Sequence, residues 1–291
     1  MLLKNTVAVF FVFVYGISPV HALEDFVGKM IPENLNPQRV VALMPALAEV
    51  VVDLGAAPIL IGVPDATQGF LPSTIVKLGP YTQISSEAVL NLKPDLVFAS
   101  MDGNSPSLVK QIEKFGVSVV TINTQSLSDI VRSFEMMSFA LGKKGFSKIE
   151  EFKNTLQKFK NPLKKNAPSN QKKWRIFVQI GWEPLVSIGK NTFLHELIEL
   201  ARGENLFANS KLKYPRPSIE EVIKANPDVI LICPLHKKDF SEKSTKFWKK
   251  FKNMNAVRHD RIYVLPEGLL TKPTFSLLQG LGKLQQILGA L

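Results

Sequence analysis

The most informative absences in this sequence of 291 residues concern the side chains that usually carry out chemistry. Cys233 is the single cysteine, so the chain cannot form an internal disulfide, and its apolar neighbours Val229–Ile232 predict a small buried hydrophobe. The histidines are few and scattered, and no two of them have metal-ligand spacing: His21, His195, His236 and His259. The sequence therefore predicts neither a disulfide framework nor a metal held by the protein.

Sequence motifs of the common enzyme classes are also missing. The chain has no nucleophile elbow and no P-loop. It also has no dinucleotide fingerprint, because Gly280 and Gly282 lie in an amphipathic pattern without a third glycine. We therefore expect a protein that is not an enzyme and has no cofactor of its own. The alternative is an exported enzyme or metallo-chaperone, which would need a titratable cluster; Glu183, Glu267 and Lys272 are the candidates for one.

Acidic residues are outnumbered, but this excess of positive charge does not indicate a nucleic-acid partner. Lysine and arginine total 36 against 25 aspartates and glutamates, which gives a formal net charge of +11. The lysines concentrate in Lys143–Lys173 and Lys237–Lys252, where they alternate with apolar residues as on the solvated faces of amphipathic helices. We therefore predict no nucleic-acid partner.

The first residues have the pattern of an export signal. A basic residue precedes the apolar run Thr6–Val20, and small residues surround a predicted cleavage site after Ala22. The run is short and contains Gly16 and Pro19, so a membrane anchor fits it less well. No cysteine stands next to the predicted cleavage site for lipid attachment. We expect residues 1–22 to be a cleaved signal peptide and the mature protein to be periplasmic and not a lipoprotein.

Strand and helix patterns alternate along the rest of the chain. Short apolar runs such as Arg39–Met44, Ser118–Ile122 and Arg175–Gln179 predict strands, and amphipathic runs between them predict helices, among them Lys246–Met254. This alternation is typical of an α/β protein with mainly parallel sheets.

Two helical patterns interrupt the alternation near the middle of the chain. Ser126–Leu141 and Ser147–Phe159 follow each other without a strand between them, and a polar segment with two prolines comes next. We therefore predict two Rossmann-like lobes, at residues 23–143 and 171–291, joined by a connecting helix and turn at residues 144–170.

The second half of the chain repeats a pattern of the first half. Six residue types recur at a constant offset of 133 positions: Tyr81 and Tyr214, Ser85 and Ser218, Glu87 and Glu220, Val89 and Val222, Pro94 and Pro227, Asp95 and Asp228. Six matches in one register indicate two equivalent lobes whose equivalent loops face the same way.

Glu87 and Glu220 are the acids that the two copies share. Ser218 predicts a helix N-cap and Glu221 can close a capping box, which leaves Glu220 outside the cap. In the other copy Ala88 occupies the box position, yet Glu87 is retained. One exposed acid on each lobe predicts two-point docking onto a partner that carries arginines. The alternative is that both acids only complement helix dipoles.

Loop aromatics are the candidate ligand contacts. Tyr81 and Tyr214 precede the repeated helices, Trp182 follows the predicted strand Arg175–Gln179, and Phe70 is a weaker candidate of the same type. In the functional interpretation the two tyrosines face each other across a cleft and sandwich a large flat ligand. In the alternative, each tyrosine packs its loop against its own lobe.

Four segments carry a resemblance to a known family: Arg39–Pro45, Glu87 with Leu92–Val97, Gly203–Phe207 and Tyr214–Glu220. From Arg39 onward the chain resembles the class III periplasmic solute-binding proteins of ABC importers, most closely their cobalamin-binding members. The resemblance implies two rigid lobes joined by one long backbone helix, with little hinge closure. We also expect a monomer.

The resemblance further implies a partner and a class of ligand. Glu87 and Glu220 match the acids that contact arginines of the ABC permease in the inner membrane. Cobalamin or a related corrinoid is the leading ligand, and haem or a ferric siderophore, both carried by relatives, are the alternatives. In each case the metal arrives as part of the ligand.

The pocket residues of the cobalamin-binding members map onto this chain with departures. Tyr81 and Tyr214 stand where tryptophan is frequent, and Ser100 replaces an expected aromatic. Gly268 and Lys272 replace an acid and an arginine that contact the ligand. The candidate ligand-binding residues are Tyr81, Tyr214, Trp182, Phe70, Glu183 and Lys272.

Overall fold

Two parallel β-sheets organise the part of the chain that the structure describes. The computed structural model covers residues 23–67, 71–72, 74–160, 173–234 and 240–290. Apolar layers lie on both faces of each sheet, so the predicted α/β class with two lobes of mainly parallel sheet is confirmed. The signal peptide predicted at residues 1–22 and most of the turn predicted after residue 160 lie outside the described residues.

The N-terminal lobe begins with a hairpin of β1 (Leu23–Glu24) and β2 (Met30–Ile31). Its remaining strands are β3 (Val40–Ala42), β4 (Leu60–Val63), β5 (Val76–Lys77), β6 (Leu96–Ser100) and β7 (Ser118–Ile122). These five form one parallel sheet in the order β5-β4-β3-β6-β7. The helices are α1 (Pro45–Asp53), α2 (Ser86–Leu90), α3 (Pro106–Glu113) and α4 (Leu127–Ala140).

The connector α5 (Phe146–Lys160) leads to the C-terminal lobe. Its strands are β8 (Trp174–Gln179), β9 (Gly181–Trp182), β10 (Leu185–Val186), β11 (Gly203–Asn205), β12 (Val229–Ile232) and β13 (Ile262–Val264). Its helices are α6 (Phe193–Leu200), α7 (Ile219–Ala225), α8 (Phe240–Trp248), α9 (Asn255–Arg258) and α10 (Leu277–Gly289). A parallel sheet has the order β11-β8-β12-β13, and β9 with β10 forms a separate hairpin.

The two sheets share a strand order. The order β4-β3-β6-β7 in the N-terminal lobe corresponds to β11-β8-β12-β13 in the C-terminal lobe. The strands that follow the repeated residues Asp95 and Asp228 are β6 and β12, which occupy equivalent places in the two sheets. The repeat in the sequence therefore corresponds to a repeat in the topology.

One predicted helix is misplaced. The sequence predicts a helix over Lys246–Met254, but the structure places α8 earlier, at Phe240–Trp248. This stretch contains serines and a threonine, which have modest helix propensity. Phe240, Ser244 and Trp248 nevertheless form one buried face of α8, because they pack against the C-terminal sheet. Tertiary burial outweighs the local propensity here.

The inner faces of the two sheets contribute to one shared core. In β3, Val40 faces the shared core whereas Val41 faces an outer cluster of the N-terminal lobe. In β12, Leu231 faces the shared core whereas Ile232 faces an outer cluster of the C-terminal lobe. This alternation is expected for strands that are buried on both faces. The apolar layer is thus continuous from one lobe to the other.

An aromatic cluster fixes the connector to both lobes. Phe134 of α4 stacks on Phe275 of the C-terminal lobe with ring centroids 4.3 Å apart. Phe152 of α5 meets both rings edge-on, at 5.3 Å and 5.6 Å. Such contacts stabilise an arrangement beyond the area that they bury. A change in the angle between the lobes would separate rings that belong to α4, α5 and the turn before α10.

We therefore expect ligand binding to change the overall shape very little. The shared core and the aromatic cluster oppose a hinge motion, so the radius of gyration should change by less than about 1 Å. Small-angle scattering of the purified protein, alone and with saturating ligand, measures this change. The same data give the molecular mass and test the predicted monomer. A marked contraction on binding would contradict the rigid connection.

Candidate functional site

The first turns of α2 and α7 are built in the same way. The Ser85 hydroxyl accepts a hydrogen bond from the backbone of Ala88 at 3.1 Å, and the Ser218 hydroxyl accepts one from Glu221 at 3.1 Å. Glu221 in turn accepts from the Ser218 backbone at 2.6 Å, which completes the predicted capping box. The pKa of Glu221 lies below its ordinary value, mainly because of the hydrogen bond from the Ser218 backbone and secondly because of the Ser218 side chain.

The repeated aspartates have a structural role. Asp95 accepts hydrogen bonds from the backbone of Gln38 at 2.7 Å and of Arg39 at 3.1 Å, just before β3. Asp228 accepts one from the backbone of Arg175 at 3.2 Å, in β8. Each carboxylate thus ties the start of one central strand to its neighbour. The two copies therefore use the repeated aspartate to hold the sheet together.

The backbone before each repeated proline also matches. Lys93 has φ 47° and Asn226 has φ 46°, so both residues lie in the left-handed region. Asparagine adopts this conformation more readily than lysine does. The equivalence was not visible in the sequence, because the two residue types differ.

Glu87 and Glu220 are the repeated acids that neither cap a helix nor tie two strands together. Both lie in the first turn of their helix and are exposed. Within the described ranges, neither side chain takes part in a hydrogen bond or an ion pair. Each lobe therefore presents one unpaired carboxylate at an equivalent position, as the sequence predicts.

Tyr214 is held in place through its neighbours on both sides. The carbonyl of Pro215 accepts a hydrogen bond from the backbone of Ser187 at 2.9 Å, and the carbonyl of Lys213 accepts one from Gly189 at 2.8 Å. The segment that carries Tyr214 is thus attached to the chain that follows β10. Its side chain is 48 % exposed and available to a ligand.

Tyr214 lies close to an acid of the opposite lobe. Asp102 follows β6 in the N-terminal lobe, and its carboxylate is 2.6 Å from the ammonium group of Lys213 in the C-terminal lobe. Partial desolvation by the protein raises the pKa of the Tyr214 hydroxyl, and the negative charge of Asp102 raises it further. Tyr214 therefore lies where the carboxyl ends of the N-terminal strands face the C-terminal lobe.

Tyr81 lies on the N-terminal lobe and is half-buried. Its ring packs against the outer apolar cluster that contains Leu78 and Ile84. This contact agrees with the packing interpretation of Tyr81 but leaves part of the ring accessible. In the described structure the rings of Tyr81 and Tyr214 do not touch, and a ligand sandwiched between them stays a prediction.

Trp182 is supported by an aromatic cluster and a buried amide. It lies in β9, and its ring meets Phe247 edge-on with centroids 4.8 Å apart. The Gln179 amide binds the Ser244 hydroxyl at 3.0 Å and accepts a hydrogen bond from the Trp248 indole at 2.8 Å. The Gln179 contacts hold α8 in place and so support Trp182.

The other candidate ligand residues have different surroundings. Lys272 forms an ion pair with Glu49 of α1 at 2.7 Å, so it is engaged with the N-terminal lobe. Gly268 makes room for the Lys272 stem, because an added Cβ would lie 2.8 Å from that side chain. Glu183 is exposed at the turn between β9 and β10. Phe70 lies outside the described residues. The ligand-binding roles of these residues stay predictions.

The described residues show no arrangement for metal binding. Among them, no group of three or more histidine, cysteine, aspartate or glutamate side chains could hold a metal ion. His195 is buried, with its ring 3.4 Å from the Asn205 amide and 3.5 Å from the Glu199 carboxylate. Burial raises the pKa of the Cys233 thiol to about 12. A thiol with this pKa is a poor nucleophile at neutral pH.

Within the described ranges, no helix is both long enough and apolar enough to cross a membrane.

A family model decides where the chain belongs. The model of the periplasmic binding proteins matches residues 40–269, which cover both lobes and the connector. The chain belongs to the periplasmic binding protein family. The resemblance that the sequence motifs indicated is thereby confirmed.

Two curated relatives of this family member span most of its length. An uncharacterized ABC transporter substrate-binding lipoprotein of Bacillus subtilis is 28% identical over 272 residues, which cover 91% of this chain and 84% of the relative. The vitamin B12-binding protein of Vibrio cholerae is 25% identical over 242 residues, which cover 81% of this chain and 84% of the relative. These relatives are described as binding proteins and not as enzymes.

Solved structures of other periplasmic proteins have the same fold. The periplasmic vitamin B12 binding protein of Vibrio cholerae superposes with a TM-score of 0.74 at 23% identity, covering 87% of this chain and 97% of that one. A periplasmic heme binding protein from Pseudomonas aeruginosa superposes with a TM-score of 0.73 at 24% identity, covering 87% and 92%. The two-lobed architecture is therefore shared by proteins with different ligands.

Proposed function

We propose that this protein is the periplasmic substrate-binding protein of an ABC importer. In this proposal it binds cobalamin or a related corrinoid between its lobes and delivers it to the permease in the inner membrane. The observation that supports the proposal best is the pair of exposed carboxylates, Glu87 and Glu220, one on each lobe.

The structural role of the other repeated residues strengthens the argument for docking. Ser85 and Ser218 cap helices, and Asp95 and Asp228 tie strands together. A duplicated fold retains these residues for stability. Glu87 and Glu220 have no such structural role among the described contacts, and helix capping does not require them. Two carboxylates at equivalent positions suit a partner that presents two arginines, which bind carboxylates through paired hydrogen bonds.

Tyr81, Tyr214 and Trp182 support a large flat ligand with polar edges. Aromatic rings bury a large area on such a ligand, and tyrosine adds a hydroxyl that can reach its rim. The vitamin B12-binding relative from Vibrio cholerae makes a corrinoid the leading choice. The metal would enter as part of this ligand, and the protein would need no cofactor of its own.

Haem is the second candidate ligand, and a ferric siderophore belongs to the same alternative. The heme binding protein from Pseudomonas aeruginosa shares the fold. Tyrosine also serves as an axial ligand of haem iron in other proteins. The net charge of +11 favours an anionic chelate over a neutral one.

The proposed location is the periplasm, without a lipid anchor. The relative from Bacillus subtilis is called a lipoprotein, which requires a cysteine at the mature N-terminus for its lipid. In this chain the single cysteine, Cys233, is buried next to the end of β12. Cleavage after Ala22 would release the protein into the periplasm. Mass spectrometry of the protein purified from periplasmic extract tests the cleavage site.

The ligand is tested by visible absorption. We expect cyanocobalamin to remain with the protein after desalting and to show a saturable change in its spectrum on titration. Haemin and ferric citrate, titrated in parallel, test the alternative. Bovine serum albumin at equal concentration serves as the control for non-specific binding. If none of these probes binds saturably, the proposed class of ligand is wrong.

A further inference from the structure

An ion pair joins the two lobes next to Tyr214. It joins Lys213 of the C-terminal lobe to Asp102 of the N-terminal lobe, with 2.6 Å between Nζ and Oδ2. The other carboxylate oxygen of Asp102 lies 3.4 Å from the amide nitrogen of Gln125. The Lys213 ammonium is also 5.9 Å from the centre of the Tyr214 ring. A ligand that stacks on Tyr214 would therefore lie within reach of this ammonium group.

The segment around Lys213 is strongly basic. Lys211, Lys213 and Arg216 follow each other within six residues that contain no acid. Among the described contacts, Asp102 is the acid that pairs with Lys213, and it comes from the opposite lobe. The segment that carries Tyr214 is therefore positively charged.

A second ion pair between the lobes provides a comparison. Lys272 binds Glu49 at 2.7 Å, again with the acid on the N-terminal lobe, and the two side chains are 19% and 26% exposed. Gly268 leaves space for the Lys272 stem. The Lys213 and Asp102 side chains are 24% and 46% exposed, so water reaches the acid more easily. Solvated ion pairs are weak, so the Asp102 partner is the easier one to exchange.

We propose that Lys213 recognises an anionic oxygen group of the ligand and exchanges Asp102 for that group when the cleft is filled. This inference rests on the proposed function. The ammonium group of lysine offers three donors, and its hydrogen bonds to a phosphate or carboxylate are stronger than those between neutral groups. Tyr214 would bind a face of the ligand, while Lys213 would bind a charged group at its edge.

Two sources can supply such a group. Cyanocobalamin carries a phosphodiester in its nucleotide loop, and dicyanocobinamide lacks that loop. Haemin and ferric citrate carry carboxylates. The experiment titrates each probe into wild type, Lys213→Met, Asp102→Asn and the double variant. Lys249→Met is the control, because Lys249 forms an exposed ion pair with Asp260 at the opposite end of the C-terminal strands.

Lys213→Met should weaken the binding of an anionic probe about tenfold, the size expected for one charge-assisted hydrogen bond. Asp102→Asn should tighten it, because Lys213 then has no competing carboxylate and the remaining amide oxygen is a weaker, uncharged acceptor. The double variant should behave like Lys213→Met, and Lys249→Met like wild type. Weaker binding of cyanocobalamin with unchanged binding of dicyanocobinamide identifies the phosphodiester. An effect on haemin or ferric citrate identifies a carboxylate.

Three results would overturn the proposal while the receptor function stands. In the first, Lys213→Met does not change the affinity for any probe that the wild type binds. In the second, it weakens dicyanocobinamide as much as cyanocobalamin and has no effect on the carboxylate probes. In the third, Asp102→Asn fails to tighten binding, which makes the ion pair a simple contact between the lobes. If wild type binds none of the probes, both this inference and the proposed ligand class are wrong. Thermal melting of each variant confirms that it is folded.

Discussion

Replacing Glu87 and Glu220 together by Ala is expected to lower uptake sharply while ligand binding stays intact. Each carboxylate is exposed at the start of a helix and has no described partner within the chain. Removing both leaves the permease arginines without their charge-assisted hydrogen bonds. The helix dipoles lose only about 0.3–1 kcal/mol per acid, so the protein should stay folded. Uptake of labelled ligand is measured in a strain whose chromosomal copy carries the variant.

Glu221 provides a matched control beside Glu220. Its side chain closes the capping box with Ser218, so Glu221→Ala should lower the melting temperature slightly and leave uptake unchanged. Charge reversal of Glu87 and Glu220 to Lys should impair uptake more than Ala does, because the lysines would repel the permease arginines. Normal uptake by the folded double Ala variant would show that both acids serve only their helices.

Replacing Tyr81 and Tyr214 together by Ala is expected to weaken ligand binding by about 2–4 kcal/mol, or roughly 30- to 1000-fold. This estimate takes about 1–2 kcal/mol for each lost aromatic contact. Titration calorimetry with the identified ligand measures it. The corresponding double Phe variant keeps both rings, so it separates the contribution of the rings from that of the hydroxyl groups.

Phe115→Ala is the control for the loss of an aromatic side chain. Phe115 is 73% exposed and follows α3, at the end of the N-terminal sheet opposite to Asp102. We expect its replacement to leave the affinity unchanged. If the double Ala variant of the tyrosines binds as wild type does, each tyrosine only packs its loop against its lobe. A packing role is the stronger alternative for Tyr81, because part of its ring already contacts the outer apolar cluster.

Local sequence patterns predicted much of the fold because their causes are local. The strand Ser118–Ile122 was predicted with the bounds that the structure gives it. The capping box of Ser218 and Glu221 was also predicted, since its hydrogen bonds span three residues. The start of α8 was not, because the burial of Ser244 against Gln179 depends on residues 65 positions away.

The candidate site was predicted only in part. The repeat singled out Glu87, Glu220, Tyr81 and Tyr214 as candidates, because equivalent residues in a duplicated fold keep a constant offset. It could not indicate Lys213, whose partner is 111 positions away in the other lobe. The sequence also did not predict that Gly189 packs against the segment before Tyr214. An added Cβ at Gly189 would lie 2.2 Å from the carbonyl oxygen of Leu212.

The sequence by itself determined the class of fold, the duplication and the helix caps, since periodicity, a constant offset and capping spacing are properties of short segments. Only the tertiary structure decided which charges meet between the lobes. The pairs Asp102–Lys213 and Glu49–Lys272 join residues 111 and 223 positions apart. Such contacts depend on how two sheets and a connecting helix share one core, and no local pattern encodes that arrangement.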